Sequence, residues 1–501
     1  MLATLIRREL LDTLMTFRFA AAVFITLLLV VANTVVLIKE YERRLADYDT
    51  AVKTHQRQLQ ERKTYSASQV IVDRSPNPLS IFNVGFDKQL GNQVEIFYGF
   101  IPTLWDAGRH GSESSMMDIF SSIDIVFIFQ VVLSLLALIF AHDALAGEHE
   151  HGTLRLVLTH FVRRGHILLA KYVSAMLCLL VPLIMSLFFA VILLTMSTSI
   201  SLRTDDFLRI GGIVFATIAY LSVFYLIGLL ISAMTRRTST ALMVSMFVWG
   251  FLVLVYPNVI LAAFAPKESS RAHTTSVFNR IERLWDEFDR ERIQYLKNDS
   301  EPGEDSGYGM RWAGWSSRSL REDPSGLLSY YRRVVHIEDL NEESEPKVPL
   351  AQRYYQFLVP LTVDIADQTW NIRQPALEEL FVQPATINGM LLRLSPVGLY
   401  DAATQAYAGT DLHGIRDFFA AARRYRQQVV DHFYDKKVFE TRQWFSGDEV
   451  PAEWYSLPKF SFRRSDIGTN VKRAFLDICL LLMINVVLFI IIFLIFIKSE
   501  V

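Results

Sequence analysis

Three consecutive residues, His149, Glu150 and His151, carry side chains of the kind that ligate metal ions. Imidazole and carboxylate groups are common zinc ligands, but residues two positions apart do not share a face of a helix. No third strong ligand lies nearby in the sequence, and the zinc-protease spacing of two histidines at i and i+4 around a glutamate is absent. The pattern therefore favours a polar surface loop, and we expect no metal ligand in this chain.

Catalytic chemistry has no better support in the sequence. No glycine-rich loop ends in Gly-Lys-Ser/Thr, the pattern that cradles nucleotide phosphates. No pattern that pairs a nucleophile with a nearby base is more specific than chance would give. We therefore expect no catalytic residue in this chain and no cofactor of its own, and the sequence identifies no substrate-binding residue.

The residues after this polar stretch predict a short amphipathic helix. Thr153 can cap its N-terminus, with Glu148 and Glu150 on the side that the helix dipole favours for negative charge, and Gly165 suits its end. Its apolar residues recur at i, i+3, i+4 and i+7, namely Leu154, Val157, Leu158 and Phe161. Such a helix rests in the lipid interface or docks against a partner protein, and the pattern alone leaves both readings open.

The composition of the chain indicates that this predicted helix belongs to a membrane protein. Mean hydropathy is +0.25, yet 20% of the 501 residues are charged, so apolar and charged residues must be segregated along the chain. About 20 apolar residues are needed to cross about 30 Å of hydrocarbon. Six segments meet this requirement, at 19–38, 123–143, 171–196, 210–233, 241–264 and 474–497. The predicted fold class is an α-helical integral membrane protein with six transmembrane helices.

Positive residues in the short connections predict the orientation. Arg7 and Arg8 precede the first segment, Arg155 lies between the second and third, and Arg236 and Arg237 separate the fourth and fifth. Such connections stay in the cytoplasm, so both termini are expected there. The long loops 39–122 and 265–473 are then extracytoplasmic. Helical patterns occur at 277–296 and 415–433 in the second loop. Because both loops flank the same membrane bundle, we expect them to pack together as one mostly helical extracytoplasmic domain.

Residues of the polar stretch and its surroundings resemble the coupling loop of ABC-2-type permeases: Glu148, Glu150, Gly152, Thr153, Leu154, Arg164 and Lys171. The amphipathic stretch 1–18, with Leu2, Leu5, Ile6 and Leu10 on one face, resembles the interfacial elbow helix of that family. Segments 77–85 and 394–411 are similar to a branch with large loops after the first and fifth spans.

The resemblance implies that the segment 144–170 is a cytoplasmic coupling loop docked on a separate ATPase. The ATPase-coupling residues would be Glu148, Glu150, Gly152, Thr153, Leu154, Val157, Leu158, Phe161 and Arg164. It also implies two copies of an ATP-binding-cassette ATPase that hold ATP and Mg²⁺, and a second permease chain, identical or related. An exporter in the bacterial cytoplasmic (inner) membrane, in contact with membrane lipid, is the expected assembly. An extracytoplasmic partner for the external domain fits the same scheme.

Other readings compete with transport. A net charge of −2 argues against a nucleic-acid partner. A membrane sensor or scaffold would use the external domain to bind a ligand, whereas a membrane enzyme would need catalytic residues that converge within the spans. Asp124, Asp477 and Asn485 are polar groups in or beside the apolar segments; a structural role is favoured over a proton relay, with the two aspartates expected to reach water near the span ends.

Overall fold

The computed structural model describes residues 2–66, 70–88, 91–103, 123–150, 164–263, 271–298, 310–314, 333–337, 348–446 and 450–498. Most of these residues are helical. The α-helices are α1 (Leu2–Leu14), α2 (Phe17–Glu61), α3 (Ile125–Ile128), α4 (Ser134–Ala141), α5 (Ala146–Glu150), α6 (Arg164–Met196), α7 (Thr204–Met234), α8 (Thr238–Gly250), α9 (Tyr256–Ala263), α10 (Arg271–Asn298), α11 (Val348–Leu377), α12 (Gln383–Leu392), α13 (Pro396–Ala408), α14 (Leu412–Asp435) and α15 (Ile467–Lys498).

Three π-helical stretches and two β-ribbons interrupt or join these helices within the described residues. The π-helical stretches are Phe129–Leu133, Phe251–Val255 and Glu378–Val382. The strands are β1 (Val70–Asp73), β2 (Gln93–Ile96), β3 (Met310–Gly314) and β4 (Arg333–Ile337), paired antiparallel as β1–β2 and β3–β4. Short 3₁₀ turns lie at Pro78–Ile81, Val438–Glu440, Arg442–Trp444 and Trp454–Ser456.

Six helical stretches in the described residues are long and apolar enough to cross a membrane. We number them spans 1 to 6: Phe17–Glu61, Ile125–Glu150, Gly165–Met196, Thr204–Met234, Thr238–Ile260 and Ile467–Ile497. Each overlaps one of the six apolar segments that hydropathy predicts. The prediction of a helical protein with six such helices is confirmed.

The first span is much longer than a membrane requires. Its helix begins after Thr16, whose hydroxyl accepts a hydrogen bond from the backbone N–H of Phe19 at 3.2 Å. It continues without a break for 45 residues, about 67 Å at about 1.5 Å per residue, and so exceeds the hydrocarbon thickness about twofold. The polar half of α2 therefore extends beyond the membrane. Because α1 ends at Leu14, residues 17 and 18 of the predicted elbow belong to this helix.

The spans share one apolar core, and part of the second long loop enters it. Helix α13 packs against spans 4 and 6. The rings of Tyr400 and Tyr220 stack with centroids 4.4 Å apart, and the Tyr400 hydroxyl lies 3.0 Å from that of Thr217. The hydroxyl of Tyr220 in turn donates to the carbonyl of Gln130, within the π-helical stretch of span 2. Residues 396–408 of this loop are therefore built into the membrane bundle.

A second core joins other described parts of both long loops. We call residues 62–103, 271–298, 348–377 and 412–462 the loop domain. The apolar face of α10 is buried through Val277, Ile281, Trp285 and Phe288. These side chains share a core with β1 and β2 of the first loop and with α11 and α14 of the second. Two segments far apart in sequence thus form a single folded unit.

The polar groups near the span ends are held by specific partners. The Asp124 carboxylate accepts hydrogen bonds from the N–H groups of Phe127 and Val84, at 2.7 and 2.9 Å, and so caps span 2. An oxygen of Asp477 lies 2.7 Å from Nε of Arg393. Both aspartates are buried, so the expectation that they reach water is wrong. The amide of Asn485 donates to two backbone carbonyls. These contacts are structural.

Candidate functional site

The end of span 2, which precedes the predicted coupling helix, is bonded to neighbouring helices. We call residues 142–150 the anchor segment. The buried Ser232 of span 4 accepts hydrogen bonds from the N–H groups of Leu145 and Ala146, at 3.1 and 2.9 Å, and donates to the carbonyl of His142 at 2.8 Å. Three backbone groups of one turn thus converge on one hydroxyl, which fixes the start of α5 against span 4.

A buried lysine joins α5 to two further elements. Lys171, in the second turn of span 3, places Nζ 2.7 Å from a carboxylate oxygen of Glu148. The same Nζ lies 3.3 Å from both carboxylate oxygens of Glu9 on α1. The lysine side chain is 7% exposed, and a buried ammonium group is tolerated only when it is paired and hydrogen-bonded. The ion triad Glu9–Lys171–Glu148 therefore links α1, α5 and span 3.

The last described residue of the anchor segment reaches span 5. One oxygen of the Glu150 carboxylate accepts hydrogen bonds from the N–H and the hydroxyl of Thr238, at 2.9 and 2.8 Å. Because the first N–H groups of a helix have no partner within the helix, this carboxylate caps α8 and also interacts favourably with its dipole. A further ion pair, Arg18 to Asp143 at 2.9 Å, connects the segment to span 1, although both side chains are largely exposed.

These contacts join one nine-residue segment to α1 and to spans 1, 3, 4 and 5. A rigid displacement of α5 would strain the Lys171 ion pairs, the Ser232 hydrogen bonds and the Glu150 cap together. Buried charge pairs and caps are costly to break, so movement of the whole group is favoured over local rupture. These contacts can link the movements of several helices mechanically. Among the described residues no cluster of three metal-ligating side chains is found.

The structure thus brings together two of the predicted coupling residues, Glu148 and Glu150. The others, Gly152, Thr153, Leu154, Val157, Leu158 and Phe161, lie outside the described residues, and only the backbone of Arg164, at the start of α6, is described. Glu9, Ser232 and Thr238 were missed by sequence reasoning, and Lys171 was noted only as part of a resemblance. The one available signal was the placement of Glu9 in a short amphipathic helix beside a span.

Six apolar helices, with the end of span 2 bonded to its neighbours, define a multi-pass membrane protein. A family model described as ABC-2 family transporter protein matches residues 3–299. The chain therefore belongs to the ABC-2 transporter family. A second model, described as a domain of unknown function (DUF3526), matches residues 385–463, which include α13 and the whole of the loop-domain helix α14.

Curated relatives agree with this assignment. The chain is 31% identical over 140 residues to the probable ABC transporter permease protein NosY of Stutzerimonas stutzeri, an alignment that covers 27% of this chain and 50% of the relative. It is 29% identical over 134 residues to the protein of the same name from Pseudomonas aeruginosa, with 26% and 48% covered. The chain spans about half the length of the curated relatives it matches.

Proposed function

We propose that this chain is the membrane-spanning subunit of an ABC transporter and that its anchor segment transmits movement from a separate ATPase to the spans. The observation that carries the proposal is the bonding of residues 142–150 to α1 and to four spans. A loop that only rested on the lipid surface would not need a buried lysine and two carboxylates to fix the residues that precede it. Membership of the ABC-2 family supports the same reading.

In this proposal the predicted helix that follows the anchor segment docks on the ATPase. Gly152, Thr153, Leu154, Val157, Leu158, Phe161 and Arg164 would form the contact surface. Two ATPase copies, which bind ATP and Mg²⁺, would serve two permease chains, and closure of the ATPases would push α5 toward the bundle. The ion triad and the Glu150 cap would then pass that push to spans 3 and 5 and to α1.

The direction of transport and the cellular membrane are also part of what we propose. Export across the cytoplasmic membrane of a bacterium, with the loop domain outside, agrees with the positively charged short connections on the opposite side. The pathway would form between the spans of the paired permease chains. The loop domain would select the substrate or pass it to an external partner. The transported substrate is not defined by any group in the described residues.

Co-purification tests the proposal. The tagged chain, isolated in mild detergent from its own host, is expected to bring with it an ATPase in a stoichiometric amount. Leu158→Asp, on the predicted docking face, is expected to lower the retained ATPase at least tenfold while the chain still inserts. Glu61→Lys, at an exposed position at the end of α2, is the matched control and should retain the ATPase fully. Absence of an ATPase under several gentle conditions, or normal retention by Leu158→Asp, would contradict the proposal.

A further inference from the structure

A polar cleft of about 520 Å³ lies where the loop domain meets the first turns of span 6. One wall is the face of α14 that carries Asp417 and Arg424. The second wall is the extended strap 461–466, which includes Arg463, and the floor is formed by Thr469 and Arg473 of α15. Because span 6 enters the hydrocarbon just below these residues, the cleft lies at the level of lipid headgroups.

The acidic groups of the cleft already have partners on the protein. Nη2 of Arg473 lies 2.8 Å from Asp417, and Nη1 lies 3.7 Å from Asp411. Asp466 accepts hydrogen bonds from the N–H and the hydroxyl of Thr469, at 3.1 and 2.6 Å, and so caps α15. Each carboxylate in the lining therefore has a structural task on the protein.

Two arginines in the lining have no such task. Within the described residues, the exposed guanidinium groups of Arg424 and Arg463 have no hydrogen bond or ion pair to another part of the chain. Both line the cleft, one from α14 and one from the strap. The lining holds three arginines and two aspartates, so the cleft keeps a net positive charge. Guanidinium groups pair well with phosphate oxygens, which makes the cleft suitable for an anion.

An exposed apolar track begins directly below the cleft. On the face of α15 that continues from Arg473, the side chains at helical spacing are apolar and about half or more exposed: Leu476, Met483, Val487, Ile490 and Leu494. One molecule with an anionic head and long apolar chains would therefore satisfy both the cleft and the track, whereas a small soluble anion would use the cleft alone.

We propose that this cleft binds the headgroup of an anionic phospholipid from the membrane leaflet that borders the loop domain. The phosphodiester lies between Arg424 and Arg463, and the acyl chains follow the track on span 6. Such a lipid holds the loop domain against the membrane surface at the point where α14 approaches α15. The proposal is independent of the ATPase and of the direction of transport.

Native mass spectrometry of the full chain in detergent tests the proposal. After incubation with equal amounts of phosphatidylglycerol or phosphatidylcholine, the chain is expected to retain more phosphatidylglycerol. A basic residue at a lipid surface contributes about fivefold in affinity, so Arg424→Gln with Arg463→Gln should weaken retention by roughly 25-fold. Arg424→Lys with Arg463→Lys keeps both charges and should retain most of the binding. The control is Arg57→Gln with Arg280→Gln, two exposed arginines outside the cleft.

Two further measurements distinguish a bound lipid from bound inorganic phosphate. Leu476→Gln interrupts the track and should weaken phosphatidylglycerol retention severalfold, while inorganic phosphate at the same concentration should not displace the lipid. Equal retention of the two lipids, or unchanged retention by the double glutamine variant, would overturn the proposal. Displacement by inorganic phosphate together with an unaffected Leu476→Gln variant would assign the cleft to a soluble phosphate instead and would also overturn it. An unchanged gel-filtration profile of the variants and recovery in the lysine pair exclude misfolding as the cause.

Discussion

Replacement of Lys171 by methionine removes the charge at the centre of the ion triad and keeps most of the length of the side chain. In the wild-type protein Nζ contacts Glu148 at 2.7 Å and Glu9 at 3.3 Å. Without the ammonium group these two carboxylates face each other with no cation between them. We expect α1 and α5 to separate locally, while the rest of the bundle remains folded, because the apolar contacts of the spans are untouched.

The magnitude follows from the geometry. Both carboxylates touch one nitrogen, so their oxygens are within about 6 Å, where two like charges repel by about 3 kcal/mol at an effective dielectric of about 20. Glu9 is 31% exposed, and solvent reduces the repulsion to about 2 kcal/mol. A difference of about 2 kcal/mol corresponds to a roughly 30-fold change in an opening equilibrium. A second substitution, Glu148→Gln, removes one of the two charges and should recover most of this loss.

Hydrogen exchange read by mass spectrometry measures this opening directly. Peptides of α1 and of residues 142–150 in Lys171→Met are expected to exchange roughly 30-fold faster than in the wild type, and those in Lys171→Met with Glu148→Gln only severalfold faster. Arg8→Met is the control, because its pairing with Asp12 is 3.8 Å long and exposed, and such pairs contribute little. If the double variant exchanged as fast as Lys171→Met, carboxylate repulsion would not be the cause and the reasoning would fail.

Three other substitutions test the packing. Gly85→Ala should lower the free energy of unfolding of the purified chain, measured by thermal unfolding, by at least about 1 kcal/mol, because Gly85 has φ +46° and a Cβ would lie 2.6 Å from the carbonyl of Thr410; Gly211→Ala, with open space around it, should not. Trp444→Ala should destabilise the loop domain by about 3–5 kcal/mol in denaturant unfolding followed by near-ultraviolet circular dichroism, since the ring is fully buried, whereas Tyr455→Ala, 87% exposed, should be neutral. Arg393→Gln should cost about 3 kcal/mol in thermal unfolding by leaving buried Asp477 unpaired, and adding Asp477→Asn should restore part of it; no recovery would contradict the assigned pairing.

The membrane helices could be predicted because their signal is local. A run of about 20 apolar residues has no stable place in water, so hydropathy alone locates each span. The helix over residues 277–296 was visible for a similar reason, since Ile281, Trp285 and Phe288 recur at helical spacing and are buried. Where the burial of apolar residues alone decides the structure, a single sequence is sufficient to predict the helix.

The details of the candidate site could not be predicted, because they depend on residues far apart in sequence. Glu9 and Lys171 are separated by 162 positions, and Ser232 is 87 residues from Leu145. Each side chain is an ordinary polar residue in its own segment. Only the packing of α1 and spans 3 and 4 around one turn makes them partners.

The boundary between the membrane bundle and the loop domain also escaped sequence reasoning. Residues 265–473 read as one external segment, yet α13 within them packs on spans 4 and 6. Helix α13 is only moderately apolar and too short to cross a membrane, so hydropathy does not distinguish it from a surface helix. The continuation of α2 to Glu61 was hidden similarly, since a polar helix has no hydropathy signal.

The central claim is that the anchor segment carries movement from a bound ATPase into the spans. Hydrogen exchange of the permease–ATPase complex, with and without ATP and vanadate, tests it most directly. In the wild type we expect nucleotide to change exchange in residues 142–150 and in the first turns of spans 3 and 5. In Lys171→Met the change should stop before span 3. An equal change in both proteins, or none in the wild-type spans, would contradict the account.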